Sequence, residues 1–223
     1  MRLVYSKYNV AITFKENCSM VLQLEHSSAK QEMLYDLWQQ FSGEEGGWIL
    51  SEGEKELLLS RNAEVIFNPF SIDMNNKKIL GKLYLELQEI IISSCEDKIP
   101  FLNAEIVRML DKTSFHLPYV LDYSLDLDVP GLLKLYNVRL DDKEMAFTER
   151  LCTYIRNMHQ LCKISLFVFL NLKQYVSKEQ LLELYKFCYY ENVYIFDIES
   201  TPISKVESEK YTVLDKDLCL ISY

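Results

Sequence analysis

The most distinctive polar segment of the sequence is LDYSLDLD at positions 121–128, where three carboxylates alternate with apolar residues. Asp126 and Asp128 fall on one face of an extended chain, and Asp122 precedes them on the same segment. Ca²⁺ takes several oxygen ligands, so this spacing could supply part of a calcium site, although no EF-hand loop is present. A solvated edge before the next predicted helix explains the same pattern, and the spacing alone favours this second interpretation.

Two groups of basic residues could contact the phosphates of a nucleic acid. Lys77, Lys78 and Lys82 stand at the beginning of a predicted helix, where Lys78 and Lys82 share one face. Arg156 and Lys163 lie near the end of a later predicted helix, just before a strongly apolar segment. Because charged helix residues are most often only solvated, these groups are candidates that need a second argument.

The overall charge opposes nucleic-acid binding at first sight. The formal net charge is −9, from 24 Lys and Arg against 33 Asp and Glu, whereas such binding needs cations that replace phosphate counterions. Net charge is an average, however. An acidic protein can gather its lysines on one surface or neutralise carboxylates with a divalent metal.

The sequence lacks the motifs of the common nucleotide sites and of zinc sites. No Gly-x-x-x-x-Gly-Lys-Ser/Thr or Gly-x-Gly-x-x-Gly pattern occurs among its 6 glycines, so nucleotide hydrolysis is disfavoured. His159 and Cys162 are three residues apart and could supply two metal ligands, but a tetrahedral zinc site needs about four. No second pair is present, and a structural role for both residues is predicted.

The cysteines and the apolar runs indicate the compartment. The 6 cysteines include no Cys-x-x-Cys pair, which predicts reduced and mostly buried thiols. No apolar run approaches the ~20 residues that span a bilayer, and the N-terminus has no signal-peptide core. We therefore expect a soluble cytoplasmic protein without membrane contact.

Hydrophobic periodicity divides the chain into α/β ends and a helical middle. Strands are predicted at residues 1–6, 10–14, 20–24, 57–59, 65–67, 164–170 and 193–198, and in the tail after 211. Helices are predicted at residues 28–41, 75–94, 102–111, 132–136, 143–161 and 177–190. The last β-helix-β unit implies parallel strands. We predict a discontinuous α/β head of residues 1–72 and 142–223, with residues 73–141 inserted as an α-helical domain.

Four segments, taken in order, resemble one known family. They are SIDMNN at 71–76 followed by Ile79-Leu80, LDLD at 125–128, KISLFVFLN at 163–171 and YTVLDKD at 211–217. Together they resemble the ring-forming spacer-acquisition proteins of type II-A CRISPR loci, over essentially the whole chain. The basic run that usually precedes the family's central strand is reduced here to Cys162-Lys163, and the acidic stretch has fewer carboxylates.

The resemblance implies a non-catalytic protein of CRISPR adaptation. Its head would be P-loop-NTPase-like without Walker motifs, and its helical domain would be a leg stabilised by Ca²⁺ at Asp122, Asp126 and Asp128. Four copies would form a homotetrameric ring that binds double-stranded DNA ends in a central basic hole and works with other adaptation proteins of the locus. The basic residues named above are our DNA-binding candidates.

Two other functions remain open from the sequence. Asp122, Asp126 and Asp128 could serve a metal-dependent nuclease or a degenerate NTPase, although no accompanying catalytic Lys or Glu can be placed. A protein-interaction scaffold without DNA contact is the third possibility, and the net charge of −9 favours it.

Overall fold

The structure is a computed structural model that describes residues 1–95, 97–142, 144–202 and 205–222. The chain forms two compact units, one of Met1–Met74 with Lys143–Tyr223 and the other of Asn75–Asp142. We call them the head and the helical unit. The fold is mixed α/β.

The head contains a six-stranded, mostly parallel sheet. Its strands are β3 (Ser19–Leu24), β6 (Ala63–Ile66), β7 (Leu166–Leu170), β8 (Tyr194–Glu199), β9 (Glu209–Leu214) and β10 (Leu220–Ser222), in the order β10-β9-β3-β8-β7-β6. Only β10 runs antiparallel to its neighbour. Strands buried on both faces are apolar almost throughout, which explains the LFVFL sequence of β7. The predicted parallel β-helix-β unit is confirmed.

A second, antiparallel sheet packs on the same core. It consists of β1 (Arg2–Tyr5), β2 (Val10–Thr13), β4 (Trp48–Glu52) and β5 (Lys55–Leu57), in the order β2-β1-β4-β5. The indole of Trp48 is buried, donates a 2.8 Å hydrogen bond to the carbonyl of Met33 and contacts the ring of Tyr5 edge-on. Residues of both sheets and of the first helix form one apolar core.

Among the described residues of the head, three helices follow the predicted periodicity with shifted ends, and a fourth, short helix was not predicted. They are α1 (Ser27–Phe41), α2 (Leu59–Asn62), α6 (Phe147–Cys162) and α7 (Lys178–Tyr190). Ser177 and Gln180 cap α7 reciprocally, as the sequence pattern predicts. Two predictions are wrong. The strand predicted at 57–59 ends at Leu57 because a helix begins at Leu59, and the helix predicted from 143 begins at Phe147; Lys143 itself lies outside the described residues.

The helical unit contains α3 (Lys77–Ser94), α4 (Lys98–Ser114) and α5 (Val129–Leu135). The hydroxyl of Tyr84 on α3 donates to the carbonyl of Val138, 2.9 Å away, and the amide group of Asn75 both donates to and accepts from the backbone of Leu140. Only Ile79 and Tyr84 of α3 are buried, and α4 has no buried residue. The helical unit by itself therefore leaves much of its apolar surface exposed.

All 6 cysteines are unpaired, as predicted, but the prediction that most of them are buried is wrong. Only Cys188 is buried, and Cys219 is exposed. Burial raises the pKa of Cys152 to about 11 and that of Cys188 well above its ordinary value. These two thiols are therefore protonated at neutral pH and are poor nucleophiles.

Candidate functional site

The first candidate is the amino-terminal turn of α3. The side-chain oxygen of Asn76 accepts hydrogen bonds from the backbone N–H groups of Lys78 and Ile79, each at 3.0 Å. This cap begins the helix at Lys77 and places Lys82 one turn beyond Lys78 on the same face. All three lysines are exposed. They form a basic surface that suits phosphate oxygens, and we call it the α3 lysine group.

The other two predicted DNA contacts lie in the head, one within α6 and the other directly after its last residue. The Nε of Arg156 on α6 donates to Glu191 Oε1 at 2.8 Å, and its guanidinium lies 4.9 Å from the centre of the Phe187 ring. Arg156 thus links α6 to α7, which reduces the charge that it offers to a phosphate. Lys163 ends α6 in the left-handed region, with φ 59°, and is exposed. Its charge is the better placed of the two for an external anion.

The acidic segment precedes α5, and its carboxylates are solvent-exposed. Asp122, Asp126 and Asp128 are exposed, and Asp128 is the residue before the first turn of α5. Within the described ranges, no group of three His, Cys, Asp or Glu side chains is close enough to hold a metal ion. The three aspartates therefore do not form a ready-made calcium site in one chain, and calcium binding stays a prediction from the resemblance.

His159 has a structural role. Its Nδ1 lies 2.7 Å from the carbonyl oxygen of Ile164, where α6 leads into β7. This contact ties the end of the helix to the beginning of the strand. It accounts for His159 without a metal.

A third polar group, which the sequence did not reveal, lies buried between the carboxyl ends of β7 and β8 and the amino end of β9. Lys173 lies in the short 3₁₀ turn after β7, and its Nζ is 2.8 Å from Glu209 Oε2, with side-chain exposures of 3% and 0%. The hydroxyl of Tyr185 donates to the other Glu209 oxygen at 2.8 Å, and the backbone N–H of Val206 donates to Oε2 at 2.8 Å. The Glu209 carboxylate thus accepts three hydrogen bonds in the interior.

Two further carboxyl groups extend this cluster along β8. Asp197 and Glu199 lie on one face of the strand and are fully buried. Asp197 Oδ1 accepts from the N–H of Leu172 at 3.2 Å, and Glu199 Oε1 accepts from that of Lys173 at 3.0 Å. We call Lys173, Tyr185, Asp197, Glu199 and Glu209 the buried cluster.

Burial and mutual repulsion alter the protonation of the pair on β8. Burial first, and then the negative charge of Glu199, raise the pKa of Asp197 well above its usual range. Burial also raises the pKa of Glu199. The remaining oxygens, Asp197 Oδ2 and Glu199 Oε2, are buried and have no hydrogen-bond partner among the described residues, so a negative charge on both groups is costly. Asp197 is therefore the neutral member of the pair at neutral pH.

This protonation predicts how stability depends on pH. Because the pKa of Asp197 is higher in the folded protein than in the unfolded one, Asp197 stabilises the fold fully at pH values below its pKa in the unfolded protein. This stabilisation is lost as the pH rises through its pKa in the folded protein. Asp197→Asn keeps an acceptor for the N–H of Leu172 but does not titrate. Urea unfolding at several pH values between about 5 and 8 measures the effect. We expect the free energy of unfolding to change less with pH for Asp197→Asn than for the wild type, with slopes that differ by up to about 1.4 kcal/mol per pH unit. Asp217→Asn, at an exposed turn, is the control, and equal slopes for wild type and Asp197→Asn would contradict the assignment.

The connection between β3 and α1 also lies at the carboxyl edge of the sheet. It consists of Glu25 and His26, contains no glycine, and ends where His26 Nδ1 accepts from the N–H of Ala29 at 3.2 Å. A phosphate-binding loop needs several backbone N–H groups that converge on one anion. The two-residue connection, capped by its own histidine, has no room for such a loop.

Distance along the chain explains why the buried cluster was not predicted. Lys173 and Glu209 are 36 residues apart, and only the strand order brings them together. The available signal was Asp197 inside the strand predicted at 193–198.

Comparison with known proteins gives one family match and a distant structural likeness. A family model described as "CRISPR-associated protein (Cas_Csn2)" matches residues 40–218. A crystal structure of the ADP conformation of MJ1267, an ATP-binding cassette of an ABC transporter, is similar with a TM-score of 0.42 and 12% identity, over 95% of this chain and 85% of that chain. This likeness is too distant to support an inference. No helix in the described part of the chain is long and apolar enough to cross a membrane.

Proposed function

Because the chain belongs to the CRISPR-associated Cas_Csn2 family, the type II-A adaptation family, we propose that it binds the ends of double-stranded DNA without sequence preference and without catalysis. It acts in the cytoplasm as a homotetrameric ring, together with other adaptation proteins of its locus. The observation that carries this proposal is the family match over residues 40–218.

The carboxyl edge of the parallel sheet supports a non-catalytic role. Open α/β sheets bind ligands at this edge, and a P-loop-NTPase-like head would place its nucleotide there. In this chain, Glu199 and Lys173 of the buried cluster lie at the carboxyl ends of β8 and β7, and the Glu25–His26 connection occupies the position after β3. We therefore assign this edge to stability and the DNA contacts to exposed lysines.

The exposed apolar surface of the helical unit supports assembly. Its strongly exposed apolar residues belong to all three helices and to the segment before α5. They are Leu85, Ile90, Ile92, Phe101, Leu102, Met109, Phe115, Tyr119, Val120, Leu121, Leu125, Leu135 and Tyr136. Clustered exposed apolar residues mark interaction surfaces, and in this proposal further copies of the chain cover them.

A ring reconciles DNA binding with the acidic composition. Four copies of the α3 lysine group around one hole give a locally basic surface, while the carboxylates that cause the net charge of −9 lie outside it. Lys163 is the head residue that we assign to the same task. Arg156 is the weaker candidate, because Glu191 already shares its charge.

Assembly and calcium are tested together. We propose that Asp122, Asp126 and Asp128 bind Ca²⁺ once the ring brings further oxygen ligands to them, since one chain presents no complete group. Light scattering at micromolar concentration should give the mass of a tetramer in Ca²⁺, and calorimetry should detect Ca²⁺ binding that the Asp126→Ala, Asp128→Ala double variant loses. Asp217→Ala is the control. A monomer in Ca²⁺ would contradict the ring. If the double variant bound Ca²⁺ as the wild type does, the assignment of these aspartates as calcium ligands would be wrong.

The DNA proposal is tested by the topology of the ligand. A ring that admits DNA only by its ends binds a linear duplex and not the same plasmid as a closed circle. We expect a gel shift for the linear form and its loss, by at least about tenfold in affinity, for the closed form. Linearising the circle with a single cut in the same tube restores the ligand and serves as the control. Equal binding to the two forms would exclude end threading, and no binding to either would exclude the DNA function.

A further inference from the structure

Three aromatic rings from three segments of the head meet near the carboxyl ends of β6 and β7. Phe70 lies in a 3₁₀ turn after β6, Phe147 begins α6, and Tyr175 follows the turn after β7. The ring of Phe70 is 4.8 Å from that of Phe147 and 5.3 Å from that of Tyr175, centre to centre. Phe70 is 64% exposed and Tyr175 39% exposed. We call these three side chains the aromatic trio.

Phe70 is held outward by a rigid turn. The side-chain oxygen of Asn68 accepts from the N–H of Phe70 at 3.0 Å, and Ser71 Oγ donates to the carbonyl of Asn68 at 2.8 Å. Pro69, between them, is buried. A large ring that is both exposed and fixed loses little conformational entropy when a partner packs on it. This is the property of a preorganised contact.

The groups beside the trio suit an anion. Phe147 is the first residue of the 16-residue helix α6, whose amino terminus has no side-chain cap, so its N–H groups and helix dipole favour negative charge. Arg150 lies one turn further, and its Nη2 donates to the carbonyl of Ile72 at 3.1 Å, two residues from Phe70. Glu149 in the same first turn offsets part of this charge. Rings beside a guanidinium and a helix amino terminus match a nucleotide, whose base stacks and whose phosphate is anionic.

We propose that the aromatic trio stacks against an unpaired nucleotide at a DNA end. This inference rests on the proposed DNA function and adds to it a means of sensing the end. Within a duplex each base is covered on both faces by its neighbours, whereas a frayed or overhanging nucleotide offers a free face to Phe70. The phosphate of that nucleotide lies toward Arg150 and the amino terminus of α6.

The test uses one duplex prepared with a blunt end, with a short single-stranded tail, and with a tail of the same length that lacks bases. Fluorescence anisotropy at fixed salt should show the tailed duplex bound about tenfold more tightly than the blunt one, as expected for one stacked base. The abasic tail should give no advantage, since it retains only phosphates. A 2-aminopurine in the tail should lose fluorescence when it stacks on the rings.

Phe70→Ala should abolish both the tail advantage and the 2-aminopurine signal, with blunt-duplex affinity unchanged. Tyr190→Ala, which removes a 69% exposed ring at the end of α7 in the head, is the matched control and should keep both. Two results overturn the stacking proposal alone. One is a Phe70→Ala variant that still binds the tailed duplex more tightly than the blunt one, and the other is a wild type that binds the two duplexes equally. No binding to any of the three DNAs overturns the proposed function with it. A change of mass in Phe70→Ala would identify the trio as a contact between copies and would also overturn the proposal.

Discussion

Lys173→Met is expected to lower the free energy of unfolding by about 3–5 kcal/mol. The substitution leaves the Glu209 carboxylate, whose side chain is fully buried, without its cation. The hydroxyl of Tyr185 and the N–H of Val206 still donate to Glu209, but they carry no formal charge to balance it. Urea denaturation followed by circular dichroism at neutral pH measures the loss.

Two further variants separate the buried charge from the loss of a side chain. Lys173→Met combined with Glu209→Gln removes both charges and keeps an acceptor for Tyr185, so it should recover much of the stability that the single variant loses. Lys7→Met breaks an exposed pair with Glu32 on the surface of the head, where solvent screens the interaction. A much smaller loss is expected there. Equal losses in Lys7→Met and Lys173→Met would show that burial does not govern the interaction at Glu209.

Elements with a long, unambiguous pattern were predictable from the sequence. The apolar run at 164–170 and the capped helix that follows it contain their own signals, and β7 and α7 agree with them. Strand β4 was missed because Trp48 follows the Gly46-Gly47 turn without a clear alternation. Its place in the sheet comes from pairing with β1, between residues such as Tyr5 and Trp48, which are far apart in the sequence.

Burial was less predictable than secondary structure. The helix predicted at 102–111 is present in α4 and contains several apolar residues, yet none of its residues is buried. A periodic stripe shows that a helix face needs a partner, but it does not show whether that partner lies in the same chain. Ile106, Val107 and Leu110 of α4 are half-buried, whereas Phe101, Leu102 and Met109 are exposed, which agrees with the assembly that we propose.

The surface sites were easier to nominate than to rank. Spacing placed Lys78 and Lys82 on one helix face, and the Asn76 cap shows why that helix begins there. The engagement of Arg156 with Glu191 depends on the packing of α6 against α7, which no local pattern encodes.

DNA affinity is expected to fall on the order of 10³-fold or more between 50 and 200 mM salt, if each of four subunits supplies about two phosphate contacts. Each contact releases counterions from the duplex, so the slope of log affinity against log salt counts the contacts. Reversing Lys78, Lys82 and Lys163 to Glu should abolish measurable binding and should leave the mass by light scattering unchanged. Anisotropy titrations of a linear duplex at several salt concentrations measure both effects.

Lys163 allows a gentler control than charge reversal. Its φ of 59° lies in the left-handed region, which glycine adopts without strain. Lys163→Gly therefore removes the charge while it relieves the backbone, and it should reduce the salt slope without loss of stability. Lys216→Glu, at the exposed turn between β9 and β10, should leave the slope unchanged. The ring that carries Lys78→Glu, Lys82→Glu and Lys163→Glu gives the decisive result. If it is intact and keeps wild-type DNA affinity and salt slope, these three lysines do not contribute to binding and the DNA lies on another surface.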